Sequence, residues 1–353
     1  MKILVLNAGS SSLKFELFEK KGRSLHSITE EAFDNHGKPI KNFKKAVAHA
    51  MRFLTHNKFI KHHTEIDGIG HRIVHGGHHT ESEIVTMNVI ATIKKFIPNA
   101  PLHNPANLAC ILACKKLFPR ITQVAVFDTA FHHTIPEKAY LYGLPYSFYK
   151  RFGMRKYGFH GTSHSYVFEQ ARKKLGARAV RRTVTCHLGN GCSLTAILNG
   201  KAIDTSMGFT PLEGVPMGTR PGDFDPAIIF YLHEKGYSFA KIKDILIHKS
   251  GLRGVSELSS DMRDIWAAYK KHDNRAVRTL KWFAYRIAKY IGAYAVALGG
   301  LDCIVFTAGI GENAFYLRKM VLDYLKIFPR KHVLVIHTDE ELKIAEETLK
   351  FIR

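Results

Sequence analysis

The chain has 353 residues, of which 46% are hydrophobic and 23% are charged, a balance typical of globular proteins with one or two domains. The longest apolar candidate, "IGAYAVALGGLDCIVF", is interrupted by glycines and Asp302, so no membrane-spanning helix is expected. The first residues, "MKILVLNAGSSS", lack the apolar core of a secretory signal peptide. These features favour a cytoplasmic protein.

The chain is strongly basic, with 52 Lys and Arg against 30 Asp and Glu and a net charge of +22. The positive electrostatic field of such a chain attracts anions. Candidates are nucleic acid, or a nucleotide together with a small carboxylate. The basic residues are spread over many segments, and no helix-turn-helix, zinc-finger or RNA-binding aromatic signature accompanies them. A solvated basic surface without a nucleic-acid partner is the favoured interpretation, and a nucleic-acid-binding protein stays an alternative suggested by charge alone.

Short β-prone runs alternate with helical patterns along the chain, which favours an α/β architecture. The predicted strands are 2–7, 14–20, 69–76, 123–128, 182–188, 193–200, 302–309 and 332–338. Helices are predicted at 104–118 with Asn104 as the cap, at 162–176 starting at Thr162 or Ser163, and at 278–298. Segment 19–60 is polar and weakly periodic, and it is predicted to be a peripheral helix or loop.

The five cysteines are scattered and odd in number, which is typical of a reduced chain without disulfides. Cys110 and Cys114 lie four residues apart on a predicted helix. Two thiols are fewer than a metal site needs, so they are interpreted as small buried residues of one helix face. The histidines of "HRIVHGGHH" (His71, His75, His78 and His79) have no carboxylate at ligand spacing, so zinc is not the favoured interpretation there.

Three Gly-rich turns could each direct backbone N–H groups at a phosphate: "NAGSSSLK", "HLGNGCS" and "TAGIGEN". None is a Walker A loop. The first and second also share a strand–turn–strand pattern that pairs Ser12 with Ser193, which suggests two domains with related cores. Together the turns predict a nucleotide held between two domains.

Four polar residues stand where a side chain could face such a nucleotide. Arg72 and Arg220 lie near glycines at apparent strand or loop ends, Asp128 ends a predicted strand, and His160 precedes a predicted helix. Phosphoryl transfer needs cations around the transferred group. Each residue also has an ordinary structural alternative, which is a surface ion pair for the arginines and a capping role for Asp128 and His160.

Ten sequence blocks, in order from residue 2 to about residue 348, resemble the acetate kinase family. They include "VLNAGSSSLKFELF", "HRIVHGG", "VFDTAFHHTIP", "YGFHGTSH", "CHLGNGCSLTAI", "GTRPGDFDPA" and "FTAGIGENA". The resemblance implies an α/β fold of two ribonuclease-H-like domains, with duplicated ββαβαβα-type cores, flanking a nucleotide cleft. It implies an N-terminal acyl-substrate domain at 1–128 plus about 338–353, and a C-terminal nucleotide-binding and dimerisation domain at 129–337.

The resemblance also implies a reaction, the reversible in-line transfer of the γ-phosphoryl group of ATP to acetate, giving acetyl phosphate and ADP. Mg²⁺ is the implied metal, with Mn²⁺ as an alternative, and the implied assembly is a cytoplasmic homodimer. A propionate or butyrate kinase of the same superfamily is one alternative. A non-catalytic ATP-binding protein is another.

Residue roles follow from the resemblance position by position. Asp128 matches the family's catalytic carboxylate and Arg72 its substrate-binding arginine, whereas His160 and Arg220 match the transition-state stabilisers. The acyl-substrate positions are Arg72, Val74, Leu102, Phe159 and Pro211. The nucleotide positions are Lys14, His187, Leu188, Gly189, Asn190, Gly191, Asp261, Met262, Arg263, Gly309, Ile310, Gly311, Glu312 and Asn313. The metal positions are Asn7 and Glu340.

Acetate is already an anion at neutral pH and needs no general base, so Asp128 is expected to orient groups and metal more than to move protons. The chain departs from the family pattern in being shorter, with gaps after "FELFEK" and between "LDYLKIF" and "PRKHVLVIHTDEEL". Pro221 stands beside Arg220 where serine is usual, and proline stiffens a loop. His337 and Asp339 replace residues usual next to Glu340, which bears on its metal role.

Overall fold

The computed structural model describes residues 1–35, 38–328 and 331–352. Its strands are β1 (Lys2–Ala8), β2 (Ser12–Lys21), β3 (Ser24–Asp34), β4 (Ile66–Ile73), β5 (Glu83–Ile84), β6 (Thr122–Phe127), β7 (Arg182–Leu188), β8 (Cys192–Leu198), β9 (Lys201–Thr205), β10 (Cys303–Thr307) and β11 (His332–Val335). Its helices are α1 (Phe43–His56), α2 (Met87–Lys95), α3 (Asn104–Leu117), α4 (Glu137–Tyr140), α5 (Tyr146–Phe152), α6 (Gly161–Leu175), α7 (Ala227–Glu234), α8 (Phe239–Asp244), α9 (Gly251–Ser256), α10 (Met262–Tyr269), α11 (Asn274–Ala297), α12 (Ala308–Asn313), α13 (Phe315–Tyr324) and α14 (Glu340–Leu349). None of these helices combines the length and the apolar character needed to cross a bilayer, as far as the described residues go.

The chain divides into two compact units. The first unit comprises Met1–His133, Phe159–Tyr166 and Asp339–Arg353, and the second comprises Thr134–Gly158 and Val167–Thr338. The C-terminal helix α14 therefore belongs to the first unit. The predicted domain limits, 1–128 plus about 338–353 and 129–337, and the functional assignment of the two domains stay predictions.

The first unit is built on a sheet with the order β3-β2-β1-β4-β6-β5. Strands β1, β2 and β3 form an antiparallel meander, whereas β4 runs parallel to β1 and β6 parallel to β4. The carboxyl ends of β1, β4 and β6 consequently meet at one edge of the sheet. In open α/β sheets this is the edge where ligands bind.

Alternating side chains give the two faces of this sheet different partners. On one face, Leu4 and Leu6 of β1 pack with α1 and α3 in an apolar core. On the other face, Ile3 and Val5 pack with Ile344 and the neighbouring residues of α14. The alternation also fixes where the polar residues at the strand ends project.

The second unit has a five-stranded sheet with the order β11-β10-β7-β8-β9. Strands β7, β8 and β9 are antiparallel, and β10 and β11 follow parallel to β7. Apart from the two-residue β5, the first unit's sheet has the same order and the same directions. The mixed α/β fold with a duplicated core is thus confirmed, and the related strand pairs are β1–β2 and β7–β8.

Helix α11 is the main helical support of the second unit's sheet. Leu280, Phe283, Ala284, Ile287 and Ile291 form its predicted apolar stripe, and all five are buried. The helix packs against β7 and β8 and also contacts α9, α10 and α13. Asp273 caps it by accepting hydrogen bonds from the N–H groups of Arg275 and Ala276.

The prediction for segment 19–60 was wrong in part. Strand β3 continues the first sheet, and helix α1 buries five residues against it, Phe43, Ala46, Val47, Ala50 and Leu54. The strand was missed because most of its side chains are exposed, as expected at the edge of a sheet. A correction also applies to Asn104, which is the first residue of α3 and not its cap, since His103 holds the cap position.

Candidate functional site

The polar residues at the carboxyl ends of β4 and β6 project from the same face of the first unit's sheet. Arg72 pairs in register with Val126, two residues before Asp128. Because alternate residues share a face, Asp128 lies on the side of Val124 and Val126, which pack with α14. The N–H of Asp128 also donates to the carbonyl of Ile73 at 2.9 Å, which holds the two strand ends together.

Arg72 and Asp128 form a forked ion pair. The Nε and Nη2 atoms of Arg72 lie 3.1 and 2.8 Å from Oδ2 of Asp128. The second carboxylate oxygen, Oδ1, accepts a hydrogen bond from the hydroxyl of Thr162 at 2.8 Å. Asp128 is 1% exposed, so both of its oxygens are fixed by protein groups in a buried position. A fork to one carboxylate gives orientation as well as charge neutralisation.

Glu340 supplies a second carboxylate to the same arginine. It begins α14, and its Oε2 lies 3.1 Å from Nη1 of Arg72. Burial, together with the neighbouring carboxylates of Asp128 and Glu341, raises the pKa of Glu340 to about 7, although Arg72 opposes this shift. For Arg72, burial alone would lower the pKa, but Asp128 and Glu340 together raise it. The guanidinium is therefore always charged and is shared between two carboxyl groups.

Glycines of β4 let α14 approach closely enough to deliver Glu340. A Cβ added at Gly70 would lie 2.4 Å from Oγ1 of Thr348 and 2.7 Å from Cγ2 of Ile344. A Cβ at Gly68 would lie 2.8 Å from the side chain of Ile352. At these two positions α14 and the residues after it pack directly against the backbone of β4. This close packing brings the first turn of α14 to the ends of the strands.

A group of oxygen donors lies beside the arginine on the α14 face. The Nδ2 atom of Asn7 donates to Oε1 of Glu341 at 3.1 Å, which leaves the Asn7 carbonyl oxygen for another partner. Lys14 pairs with Glu30 at 2.7 Å and with Glu341 at 3.3 Å. Ligand atoms of Glu16, Asp339 and Glu341 lie within 4.8 Å of one another. Carboxylate and amide oxygens of this kind suit a hard divalent cation.

The charges in this group are mutually dependent. Burial alone would lower the pKa of Lys14, but its contacts with Glu30 and Glu341 raise it. Burial raises the pKa of Glu16 to about 7, helped by the neighbouring carboxylates of Asp339, Glu30 and Glu341. The group thus has more carboxylates than cations.

His160 adopts an unusual backbone conformation immediately before α6. Its φ is +58°, in the left-handed region that non-glycine residues rarely adopt. The next residue, Gly161, donates its N–H to the carbonyl of Asp128 at 3.0 Å. A Cβ at Gly161 would lie 2.1 Å from that carbonyl oxygen, so only glycine fits there. Because His160 directly precedes Gly161, this contact also keeps the backbone of His160 close to Asp128.

The predicted acyl-pocket residues of the first unit differ in burial. Val74 and Phe159 are 8% and 1% exposed, whereas Leu102 is 47% exposed. His75, next to Val74, contacts Phe159 edge-on with 5.6 Å between ring centroids. Burial lowers the pKa of His75 to about 3, so its ring stays neutral and adds to the apolar character of this region.

In the second unit, the loop predicted to hold nucleotide phosphates closes the β7–β8 hairpin. Leu188 pairs with Cys192, and Gly189, Asn190 and Gly191 form the turn. The N–H of Gly189 donates to the carbonyl of Gly191 at 3.0 Å. His187 is the penultimate residue of β7 and lies in register with Thr307 at the end of β10.

The second predicted nucleotide segment, Gly309 to Asn313, follows that end of β10. It is helix α12 and not the turn that the sequence suggested. A Cβ at Gly311 would lie 3.6 Å from Cβ of Leu188, so the helix and the hairpin are neighbours. Glu312 accepts a hydrogen bond from the N–H of Thr338 at 3.3 Å. This contact ties α12 to the segment after β11.

Asp261, Met262 and Arg263 form the start of α10. Asp261 caps the helix by accepting a hydrogen bond from the N–H of Arg263 at 2.8 Å. The Arg263 side chain is 90% exposed. The hydroxyl of Tyr316 donates to the carbonyl of Met262 at 3.4 Å, which connects α10 with α13.

Arg220 lies in a loop that is bound to the hairpin turn of the same unit. Its Nη1 donates to the carbonyl of Pro211 at 2.7 Å, so these two predicted residues are in contact. The N–H of Gly218 donates to the carbonyl of Asn190 at 3.0 Å. Burial lowers the pKa of Arg220, and no carboxylate ion pair is seen for it among the described residues. Such an arginine is suited to bind an anion.

Three residues of the first unit's site were not singled out from the sequence: Thr162, Glu341 and Glu16. Thr162 lies in the quoted block "YGFHGTSH", but a helix-start threonine is ordinarily a cap. Glu341 is adjacent to Glu340, and the sequence gives no way to tell which of two neighbouring carboxylates faces Asn7. Glu16 could have been found from alternation, since Lys14 and Glu16 lie on one face of β2.

Comparison with known proteins gives consistent matches along the chain. A model of the acetokinase family matches residues 2–331. The acetate kinase of Thermoanaerobacterium thermosaccharolyticum is 45% identical, over 100% of this chain and 99% of its own, in an alignment of 396 positions. The crystal structure of Porphyromonas gingivalis acetate kinase superposes with a TM-score of 0.92 at 41% identity, covering 99% of each chain.

A propionate kinase structure from Francisella tularensis subsp. tularensis is also similar, with a TM-score of 0.88, 38% identity and 99% of each chain covered. The matches extend over both units and over every block that carries a predicted site residue before residue 331. The chain therefore belongs to the acetokinase family and is a carboxyl-group phosphotransferase.

Proposed function

We propose that the protein transfers the γ-phosphoryl group of ATP reversibly to acetate, with Arg72, Asp128, His160 and Arg220 as the catalytic groups. The observation that carries the proposal is the fork of Arg72 onto Asp128 and Glu340 at the carboxyl ends of two parallel strands. A guanidinium held in this way has a fixed orientation before any substrate arrives. Preorganised charge of this kind is a large part of how enzymes accelerate phosphoryl transfer.

The acetate carboxylate binds Arg72, and the residues next to it favour a short acyl chain. Val74 follows Arg72 by two residues, and the buried side chains of Val74 and Phe159 supply apolar contacts for a methyl group. Leu102 and Pro211 complete the proposed acyl-binding set. Because acetate is already ionised at neutral pH, Asp128 orients Arg72 and receives no proton from the acceptor.

His160 and Arg220 stabilise charge on the transferred phosphoryl group. Two anions must approach each other in this reaction, so cationic or hydrogen-bonding side chains lower the barrier. Arg220 fits this role because its pKa is lowered by burial and its visible hydrogen bond is to a carbonyl, which leaves its charge for an anion. The left-handed backbone of His160 is typical of a residue held for function.

The proposed nucleotide-binding residues of the second unit surround the ends of β7 and β10. Lys14 stays a predicted nucleotide-binding residue. His187–Gly191 and Gly309–Asn313 provide backbone N–H groups for the phosphates, and Asp261–Arg263 provide contacts for the adenosine. The close approach of α12 to the β7–β8 turn supports this pairing of segments. Glycines allow a phosphate to reach the backbone.

Asn7 and Glu340 are proposed to hold Mg²⁺, with Mn²⁺ as a substitute. Oxygen ligands of this kind suit Mg²⁺. The side-chain Nδ2 of Asn7 donates to Glu341, which leaves the side-chain oxygen Oδ1 of Asn7 available to the metal. Around Glu341, the carboxyl groups of Glu16, Asp339 and Glu341 outnumber the single cation Lys14, and a divalent cation would balance their charge. When bound, the metal neutralises phosphate oxygens and so reduces repulsion between the two anionic substrates. Glu341 keeps Asn7 and Lys14 in place.

The proposal extends to a cytoplasmic homodimer, as the family resemblance implies. Its acyl preference is proposed to be acetate over propionate or butyrate. One methylene group in an apolar pocket changes the free energy by only about 1–3 kcal/mol. The preference must therefore be measured as a ratio of kcat/KM values.

The test is acyl hydroxamate formation from ATP, Mg²⁺ and acetate, propionate or butyrate, for the wild type, Arg220→Ala and Arg275→Ala. Arg275 is the control because it forms an ordinary surface ion pair with Asp273 in the same unit. We expect the highest kcat/KM with acetate, with turnover lost in Arg220→Ala and kept in Arg275→Ala. A maximum with propionate would change the substrate. ATP binding without turnover on any acid would overturn the proposed function.

A further inference from the structure

A buried group of soft ligands lies on the other face of the sheet from the candidate active site. His71, Cys110 and Cys114, here called the soft-ligand cluster, have ligand atoms that all lie within 4.8 Å of one another. The three residues are at most 1% exposed. The phosphoryl-transfer proposal uses none of them.

The fold explains why the three residues meet. Cys110 and Cys114 lie one turn apart on α3 and so project from the same face of the helix. His71 precedes Arg72 in β4, and neighbouring residues of a strand project to opposite faces. Arg72 faces α14, so His71 faces α3. The sequence could not reveal this group, because strand β5, helix α2 and their connecting segments separate His71 from Cys110.

A buried carboxamide also contacts the cluster. Nε2 of His71 lies 3.0 Å from Oε1 of Gln123, a neighbour on β6. A carboxamide oxygen only accepts, so Nε2 carries the proton and the lone pair of the ring is on Nδ1.

That pattern is the one found around metal-binding histidines. A histidine ligand commonly donates its second N–H to a carbonyl or carboxylate, which fixes the ring and its tautomer. Gln123 is 6% exposed and holds His71 in this way.

We propose that the soft-ligand cluster binds a thiophilic divalent cation, Zn²⁺, through two thiolates and one imidazole. Thiolate and imidazole ligands select zinc over the hard cations Mg²⁺ and Ca²⁺. Two thiolates and a neutral imidazole carry a charge of −2, which Zn²⁺ neutralises. Cu⁺ would leave a net negative charge in an apolar core, where an unbalanced charge is costly. Bound zinc would tie α3 to β4.

The first test measures zinc in the intact chain. The wild type, the double variant Cys110→Ala/Cys114→Ala and the control Cys186→Ala are expressed in zinc-supplemented medium, passed over a chelating resin and assayed by mass spectrometry. Cys186 is a matched control because it is an equally buried free thiol in the second unit. We expect about one zinc per chain in the wild type and in Cys186→Ala, and none in the double variant.

A second test keeps the proposal open to refutation if the double variant does not fold. The wild type and Cys186→Ala are refolded with Co²⁺ under reducing conditions, and the absorption spectrum is recorded. Thiolate ligation gives a sulfur-to-cobalt charge-transfer band together with visible d–d bands of the bound cobalt. No such bands, zinc in the wild type equal to that in the double variant, or binding of Cu⁺ with no binding of Zn²⁺ would each overturn the proposal. Neither readout depends on acetate or ATP.

Discussion

At the scale of single residues, the arrangement around Asp128 separates orientation from proton transfer. One carboxylate oxygen is engaged by Arg72 and the other by Thr162, so the orientation of the carboxylate is fixed from both sides. The side chain is buried, which makes each contact stronger than it would be in water. Its proposed role is therefore to hold Arg72 in the position that receives acetate.

The substitution Asp128→Asn tests this role. An amide keeps the size of the side chain but removes the charge and one acceptor for Arg72. We expect kcat to fall by about 10²–10³-fold, the usual effect of losing a preorganised electrostatic contact. Because no proton transfer is lost, the fall should be the same at every pH where the enzyme is stable. Near-normal kcat with unchanged metal dependence would rule the role out, and loss of one limb of the pH–rate profile would indicate a general base.

Thr162 is predicted to act through Asp128. In Thr162→Val the hydroxyl that reaches Oδ1 at 2.8 Å is replaced by a methyl group of similar size. Losing a hydrogen bond to a charged group costs about 1.5–3 kcal/mol, so kcat/KM for acetate should fall roughly 10–100-fold. The control Thr162→Ser keeps the hydroxyl and should retain most of the activity. Full activity in Thr162→Val, with a loss in Thr162→Ser, would show that the methyl group matters and the hydrogen bond does not.

At the scale of elements, the site depends on strands that end at one edge and on helices that begin there. Strands β4 and β6 supply Arg72 and Asp128, whereas the first turns of α6 and α14 supply Thr162 and Glu340. Side-chain alternation puts the active residues on one face and the soft-ligand cluster on the other. A shift of β4 by one residue would exchange the faces on which Arg72 and His71 lie, and both groups would lose a member.

The start of α6 gives a prediction for stability. In Gly161→Ala the new Cβ would lie 2.1 Å from the carbonyl oxygen of Asp128 and 2.9 Å from Cβ of Phe131, both of which are held by the core. We expect a loss of about 2–4 kcal/mol in the free energy of unfolding, with weaker acetate turnover because His160 and Asp128 move apart. The measurement is urea unfolding together with the hydroxamate assay.

Gly143→Ala is the control for that variant, because a Cβ there meets no heavy atom within 4 Å. Its stability should change by no more than about 0.5 kcal/mol, as is usual for surface substitutions. If the two variants are equally stable, the close approach at Gly161 is not what limits the residue at that position.

The strands and helices that could be predicted were those with a clear hydrophobic pattern in their own sequence. Strands such as β1, β6 and β10 are continuous apolar runs, and α11 has a clear stripe, so the sequence located them. Strand β3 has charged residues on both faces, and α12 begins in a glycine-rich segment that resembles a turn. Their structure depends on neighbours, β2 in one case and the end of β10 in the other, which a local pattern does not contain.

The candidate site could also be predicted only in part from the sequence. Residues at strand ends, such as Arg72 and Asp128, could be placed by topology, and the family resemblance supplied the remaining roles. The partners of these residues could not be placed, because Glu341, Thr162 and Glu16 owe their positions to packing between distant segments. The ligand sets of the metal positions also depend on such packing, as the contact of Asn7 with Glu341 illustrates.

At the scale of the whole molecule, two units repeat one sheet order while carrying different polar residues at the strand ends. The first unit has carboxylates and Arg72 there, and the second has glycine turns and Arg220. The basic residues that give the net charge of +22 are spread over the whole sequence and are not concentrated at the strand ends of either unit. Global stability should therefore respond to pH mainly through a few buried groups.

Glu16 is the group whose effect we expect to measure. Its pKa is raised from 4.5 to about 7, so the folded chain holds a proton that the unfolded chain has lost between those values. The folded state then binds more protons, and stability falls as pH rises from about 4.5 to about 7. Above pH 7 the buried charge opposes folding in full.

In Glu16→Gln this contribution disappears. The variant should match the wild type near pH 4.5 and be more stable above pH 7 by about 1–3 kcal/mol, since a tenfold change in proton affinity is worth about 1.4 kcal/mol. The measurement is urea unfolding across this pH range without divalent cations. Glu31→Gln changes an exposed carboxylate of β3 and is the control for the loss of one negative charge. A variant less stable than the wild type above pH 7 would contradict the assignment.

The outer strand of the first sheet has a further consequence for how chains behave in concentrated solution. Strand β3 has 11 residues and pairs only with β2 in the part of the chain that is described, so its other side is an open edge. Open edges of this length invite pairing with another chain. Glu30, Glu31 and Asp34 are exposed along it, and a chain that extended the sheet would have to dehydrate these carboxylates. We therefore expect the same charged residues that made β3 difficult to predict to oppose aggregation through this edge.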